Sequence, residues 1–169
     1  MSLKLESQPQ PKLDRHDRLL EQFEHDPYHS RLKLKEPSLC SDCGAVFFKG
    51  RWTWSEAPAD AHKALCPACA RTRDENPAAY LNLRGTFVTT HRTEIMQLAR
   101  NLAQRERAEH PLKRIMDIEE SYDGMKLSFT EAHMAREIGE ALHKAYKGEL
   151  DYHYIDAEIM LRVNWTRDV

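Results

Sequence analysis

Residues 40–54 read CSDCGAVFFKGRWTW: two cysteines two residues apart, a glycine, and then a β-rich run carrying four aromatics. The same cysteine spacing recurs at Cys66 and Cys69 in CPAC, 22 residues further on, and the chain has no other cysteine. Two residues between cysteines let one tight turn aim both sulfurs at a single ion, so the two pairs supply a tetrahedral thiolate set at about 2.3 Å from the metal. Zinc is the metal this donor set predicts, because it is redox-inert and tolerates four sulfurs; a rubredoxin-like iron would use the same ligands. Gly44 closes the first turn, Lys49-Gly50 splits AVFFKGRWTW into a hairpin, and ARTRDENPAAY has the composition of a short helix beginning at or near Cys69. Knuckle, hairpin and helix in that order predict a zinc ribbon or treble-clef finger. A thioredoxin-like redox pair would leave the second pair unused, and a catalytic zinc keeps a coordination position open that four cysteines close. His62, four residues before Cys66, is near enough to replace a ligand, but a surface position is expected for it.

Such a finger, of roughly 45 residues, is too small to hold itself together by burial, whereas structural zinc contributes about 10–16 kcal/mol to folding. The whole chain, at 169 residues with 41% hydrophobic and 31% charged residues and a mean hydropathy of -0.71, is long enough for one ordinary domain or two small modules. No run reaches the about 18 apolar residues that span a bilayer, and MSLKLESQPQPK lacks the apolar stretch of a signal peptide, so a cytoplasmic protein is expected.

Upstream of the finger, residues 1–35 combine SQPQPK with interleaved charges and read as a flexible arm, with a short helix near 14–25 gripped by Leu19, Leu20 and Phe23. Downstream, Thr89 or Thr90 caps a helix whose apolar positions Ile95, Leu98, Ala99, Leu102 and Ala103 end before His110-Pro111. Asp123-Gly124 at the centre of a two-residue hairpin would pair Tyr122 with Met125, Glu120 with Leu127 and Ile118 with Phe129, gathering the apolar residues on one face. Thr130 caps the next helix, with a stripe of Ala135, Ile138, Leu142 and Ala145. Two strands follow, one alternating Leu150, Tyr152 and Tyr154, the other Ile159, Leu161, Val163 and Trp165. The predicted fold is α+β: a flexible arm (1–35), a zinc-finger module (36–88), a linking helix (89–110) and an antiparallel ββαββ domain (111–169) with helices on one face.

No phosphate-binding loop, dinucleotide turn, zinc-protease helix or nucleophile elbow occurs, and the metal consumes every thiol. His91, His110, His133, His143 and His153 are scattered along the chain with no spacing that gathers them, so a non-enzyme is expected. Binding is the better class. Phe47, Phe48, Trp52 and Trp54 interleave with Lys49, Arg51, Arg71 and Arg73, and fingers of this kind hold RNA by stacking and guanidinium-phosphate contacts. The two tryptophans share a face that is expected to be core before a base-stacking platform, and Arg71 and Arg73 suit support of the thiolate centre as well as RNA. Net charge is only -2, but residues 84–114 carry seven Lys and Arg against three Glu, while 111–169 carry eight against twelve Asp and Glu. A solvated helix face beside an acidic domain accounts for this pattern; so does an RNA surface made of Arg51, Arg71, Arg73, Arg84, Arg100 and Arg107. The competing class is a protein-protein adaptor that docks through the acidic ββαββ module, with zinc purely structural.

CSDCGAVFFKGRW, CPAC, the run from RIMDIEESYDG through AREIGEALHKAYKGELDYHYID, and LRVNW together resemble small bacterial zinc-ribbon relatives of the large-ribosomal-subunit export adaptor family of archaea and eukaryotes. The resemblance covers about residues 36–166 and is most specific in AREIGEALHKAYKGEL. It implies zinc on Cys40, Cys43, Cys66 and Cys69 and a general association with the ribosome or RNA. The chain departs from larger members in having a single four-cysteine set and none of their additional domains.

Overall fold

The structure is a computed structural model that describes residues 28, 34–155 and 160–169. The helix expected near 14–25, most of the arm and Ile159 lie outside the described residues. The described chain is mixed α+β, with two sheets and four helices. None of its helices is long and apolar enough to cross a membrane.

The first sheet holds β1 (Ser38–Cys40), β2 (Val46–Phe48), β3 (Arg51–Thr53) and β4 (His62–Ala64) in the order β3-β2-β1-β4. Phe48 pairs with Arg51, so Lys49-Gly50 is the whole turn. Both turn residues have positive φ, 51° and 79°, the geometry that makes a two-residue hairpin follow the strand twist. Helix α1 (Pro67–Arg73) follows with proline in its first turn, where a missing N–H costs nothing.

Strand β5 (Ala79–Arg84) then leads into α2 (Thr86–Thr90), α3 (Arg92–Glu109), β6 (Ile115–Glu120), β7 (Gly124–Phe129), α4 (Ala132–Tyr146), β8 (Glu149–Ile155) and β9 (Met160–Thr166). The second sheet runs β6-β7-β5-β9-β8. The two hairpins therefore do not meet; β5, drawn from the stretch read as part of the finger, sits between them. Its pairing with β9 is parallel, so the sheet is mixed rather than wholly antiparallel. A residue alternation does place β5: Ala79, Leu81 and Leu83 are fully or almost fully buried, and Arg84 is exposed.

That buried face joins Met125, Leu127 and Phe129 of β7 and Leu161, Val163 and Trp165 of β9 against Met134, Ala135, Ile138 and Leu142 of α4 and Ile95, Met96 and Ala99 of α3. The predicted stripes of both long helices are thus largely the core-facing ones, although Ala145 is exposed and Met134 takes its place. Helix α3 begins later than expected. Thr89 and Thr90 belong to the short α2 and bond back to the Thr86 carbonyl, leaving His91 at the α3 start without a side-chain cap.

The β6–β7 register also differs from the expected one. Glu120 pairs with Met125 and Ile118 with Leu127, so Ser121–Gly124 forms a four-residue connection and Tyr122 is 93% exposed. The reason is tertiary: Gly124 pairs with Arg84 of β5, and a Cβ there would lie 2.0 Å from the Leu83 carbonyl oxygen, so glycine is needed in the ladder and not at the tip. Ser121 closes the connection by donating to Asp123 Oδ1 at 2.7 Å. Thr130, expected to cap α4, instead donates to the Leu112 carbonyl at 2.6 Å and accepts from Arg114 N–H; Glu131 accepts from Met134 N–H as the cap.

Candidate metal centre

The two cysteine pairs come from opposite parts of the finger. Cys40 ends β1 and Cys43 follows in the turn that Gly44 closes at φ 82°; Cys66 is the N-cap of α1 and Cys69 lies in its first turn. Backbone hydrogen bonding fixes the sulfurs before any ion is considered. Cys66 N–H points at Cys40 Sγ (3.3 Å), Cys69 N–H points at Cys66 Sγ (3.4 Å), and Cys40 N–H is held by the Ala45 carbonyl (2.8 Å).

All four sulfurs lie within 4.8 Å of one another, and the four can hold a metal ion. The fit to zinc is geometric. A zinc–sulfur bond of about 2.3 Å sets tetrahedral sulfurs about 3.8 Å apart, and Cys43 and Cys66 stand at 3.8 Å. Three of the four are buried, Cys40, Cys66 and Cys69, which keeps water from a closed shell. Burial pushes the Cys66 thiol well up, with the neighbouring thiols adding to it, and also raises Cys69 despite the pull of Arg114. At Cys40 burial is outweighed by backbone N–H donors, chiefly that of Cys66, and the thiol is lowered to about 7. Four crowded thiolates without a cation between them are therefore costly, and a divalent ion is what removes the cost.

One further residue belongs to the site and has no signature in the sequence. Arg114, at the entry to β6, donates through Nη1 to Cys69 Sγ (3.2 Å) and through Nη2 to Cys66 Sγ (3.7 Å), while its Nε donates to the Pro111 carbonyl (2.9 Å). It is half-buried, and the thiols raise its pKa against the opposing effect of burial. A zinc tetrathiolate here would carry a net charge of -2, and this guanidinium, bonded to two of the sulfurs, would offset part of it.

The arginines singled out from the sequence scatter. Arg71 is 6% exposed, donates to the Asn76 carbonyl and stacks 4.4 Å from the Tyr28 ring centre. Arg73 grips Asp42 with two bonds, 2.8 and 2.5 Å, bracing α1 against the first cysteine turn. Arg84 ends β5, about 17 Å of strand away from its start beside the finger. Arg51 is exposed at the hairpin. Arg100 and Arg107 do come together: with Gln104 they line one side of a groove of about 480 Å³, and Arg114, Ile115, Met116, Asp117 and Ile118 line the other. Trp54 reaches the same end of α3, its indole N–H donating to the Arg107 carbonyl at 2.6 Å. Trp52 instead packs beside the cysteine cluster and against Phe47. His62 is exposed on β4 and is not among the clustered ligands.

The chain matches no family model, no curated protein and no solved structure.

Proposed function

We propose that zinc on Cys40, Cys43, Cys66 and Cys69 folds the finger and fixes it on the α+β body, and that the joined surface associates with RNA or the ribosome in the cytoplasm without catalysing a reaction. The observation that carries this reading is the cationic groove between α3 and β6. Arg100, Gln104 and Arg107 recur at helical spacing along one wall, beside the metal centre and an exposed tryptophan. The residues that qualify narrow accordingly: Arg100, Arg107 and Arg51 remain as phosphate contacts, whereas Arg71 and Arg73 support the finger. The sequence resemblance to the export adaptor family would imply the same class. RNA recovered with the metal-loaded protein, bound with an affinity that falls steeply as salt rises, is the expected result. Absence of RNA enrichment, or binding indifferent to salt, removes the reading.

A second reading has its own observation. The edge strands are acidic, with Asp117, Glu119 and Glu120 exposed on β6 and Glu149 and Asp151 on β8, a rim that repels phosphate and suits a protein partner. A specific partner that survives nuclease treatment favours this adaptor over the RNA reading.

A further inference from the structure

We propose that the groove takes a single strand of RNA, with its phosphates on Arg100 and Arg107 and an unpaired base stacked on the Trp54 indole. This rests on the RNA reading above and narrows it to unpaired strands.

The three tryptophans of the chain separate by what surrounds them. Trp165 is fully buried and donates its N–H to the Lys147 carbonyl at 2.7 Å, a core residue with its polar edge satisfied. Trp52 is half-buried against the cysteine cluster. Trp54 makes the same kind of edge bond as Trp165, to the Arg107 carbonyl, yet stays 39% exposed. Its ring is thus held in one orientation with surface left to offer, the property of a stacking platform. The Arg107 guanidinium carbon lies over the ring at 5.8 Å from its centre, near the outer limit of a cation–π contact, so it covers one face of the indole only loosely. The same residue therefore fixes the platform through its backbone and presents a cation beside it. A phosphate held by Arg107 has its own base within reach of Trp54.

The groove sorts charge across its width. Arg100 and Arg107 stand on the α3 wall, and Asp117, the one carboxylate in the lining, stands on the β6 wall with Ile115, Met116 and Ile118. Arg114 commits three of its five N–H donors to two sulfurs and a carbonyl and is held against the cysteine cluster, so it forms wall in preference to phosphate contact. Phosphates are held to the helix side, and bases face the apolar strand side, where Asp117 can accept from an exocyclic amine. A duplex can offer phosphates to these arginines but no free base face to Trp54, because its bases are stacked on each other and show only edges.

The test uses full-length, zinc-loaded protein with fluorescein-labelled oligouridine and oligocytidine and an RNA hairpin duplex of the same length, read by anisotropy. Single strands are expected to bind at least tenfold more tightly than the duplex. Trp54→Leu should lose about tenfold on single strands, Trp54→Phe should retain most of the affinity, and Arg100→Ala and Arg107→Ala should each reduce the salt slope by about 0.7. Arg105→Ala, on the α3 side that faces α4, serves as the charge control and should change little. Photo-crosslinking of 4-thiouridine RNA to the wild type, mapped by mass spectrometry, needs no variant to fold and should mark Trp54 or the α3 peptide. Equal affinity for duplex, an unchanged Trp54→Leu protein of normal zinc content, or cross-links confined elsewhere overturns the single-strand assignment while leaving RNA binding standing. Failure of every RNA to bind overturns both readings.

Discussion

Arg114 stands between two chemistries, donating to the cysteine sulfurs on one side and opening the edge strand of the sheet on the other. Arg114→Met keeps the length of the side chain and removes every donor, leaving the cysteine cluster without its cation. A loss of about 10–100-fold in zinc affinity is expected from removing such an outer partner, measured by competition with a chromophoric chelator. Arg114→Lys should recover only part, since a point charge does not reproduce the fork that reaches two sulfurs at once. Unchanged zinc affinity in Arg114→Met would make the residue a packing element only. The four cysteines are legible from spacing alone because a knuckle is local; Arg114 is not, because 45 residues separate it from Cys69 and only the folded body brings them together. Glu131 offers a test of a different kind. Burial pushes its carboxyl above the usual glutamate range, with Lys113 and His133 pulling it back. The native state thus holds this proton more tightly than the unfolded chain, so between about pH 4.3 and the raised native value stability falls as pH rises. Glu131→Gln can keep the cap to Met134 N–H and has no proton to lose. Urea midpoints of the wild type should decline relative to Glu131→Gln across that window, the cysteines cancelling in the comparison; parallel curves would show that the carboxylate is not strained.

The β6–β7 hairpin shows why a pattern can place faces correctly and a turn wrongly. Side chains alternate with period two, so a register shifted by two residues keeps Ile118, Met125, Leu127 and Phe129 on the core side. Asp-Gly by itself satisfies a tight turn, and nothing within the hairpin opposes it. The constraint comes from β5, whose Leu83 carbonyl leaves no room for a side chain at 124. Two substitutions separate the registers. Tyr122→Ala removes a ring that is almost wholly in solvent and should change stability by less than about 0.5 kcal/mol in urea unfolding. Gly124→Ala must move the β5–β7 ladder and should cost about 3 kcal/mol. The reverse order of effects would return Tyr122 to the strand and Gly124 to the tip. Strand β5 was itself readable, since Ala79, Leu81 and Leu83 alternate with Tyr80, Asn82 and Arg84. Its place at the centre of the sheet was not, because parallel pairing with β9 joins residues 82 positions apart and leaves no local trace.

At the scale of the molecule, finger and body differ in what holds them and, among the described residues, share a small set of side-chain contacts. The body has a continuous core from Leu81 and Ile95 to Trp165, whereas the buried cluster of the finger is Cys40, Ala45, Cys66, Ala68 and Cys69, three of them candidate metal ligands. Without an ion the finger has, beyond its cysteines, only Val46, Ala45 and Ala68 as fully buried apolar residues among those described, with Trp52 and Leu65 in part, to offset its chain entropy. Among them are Arg114 on the sulfurs, Leu112 against the cysteine cluster, and Trp54 on the end of α3. All three touch the stretch from Arg107 to Arg114, which leads from α3 into β6. Loss of metal should therefore spread along one route. Hydrogen exchange of the chelated protein should show residues 36–75 unprotected, partial loss at the last turn of α3 and the first residues of β6, and β5, β7 and β9 protected as before. Trp165 should remain in its rigid setting while Trp52 and Trp54 become solvated. Retained protection in residues 36–75 would mean that the finger folds without metal; simultaneous loss throughout would mean that β5, running directly from the finger into the middle of the sheet, makes the two a single cooperative unit.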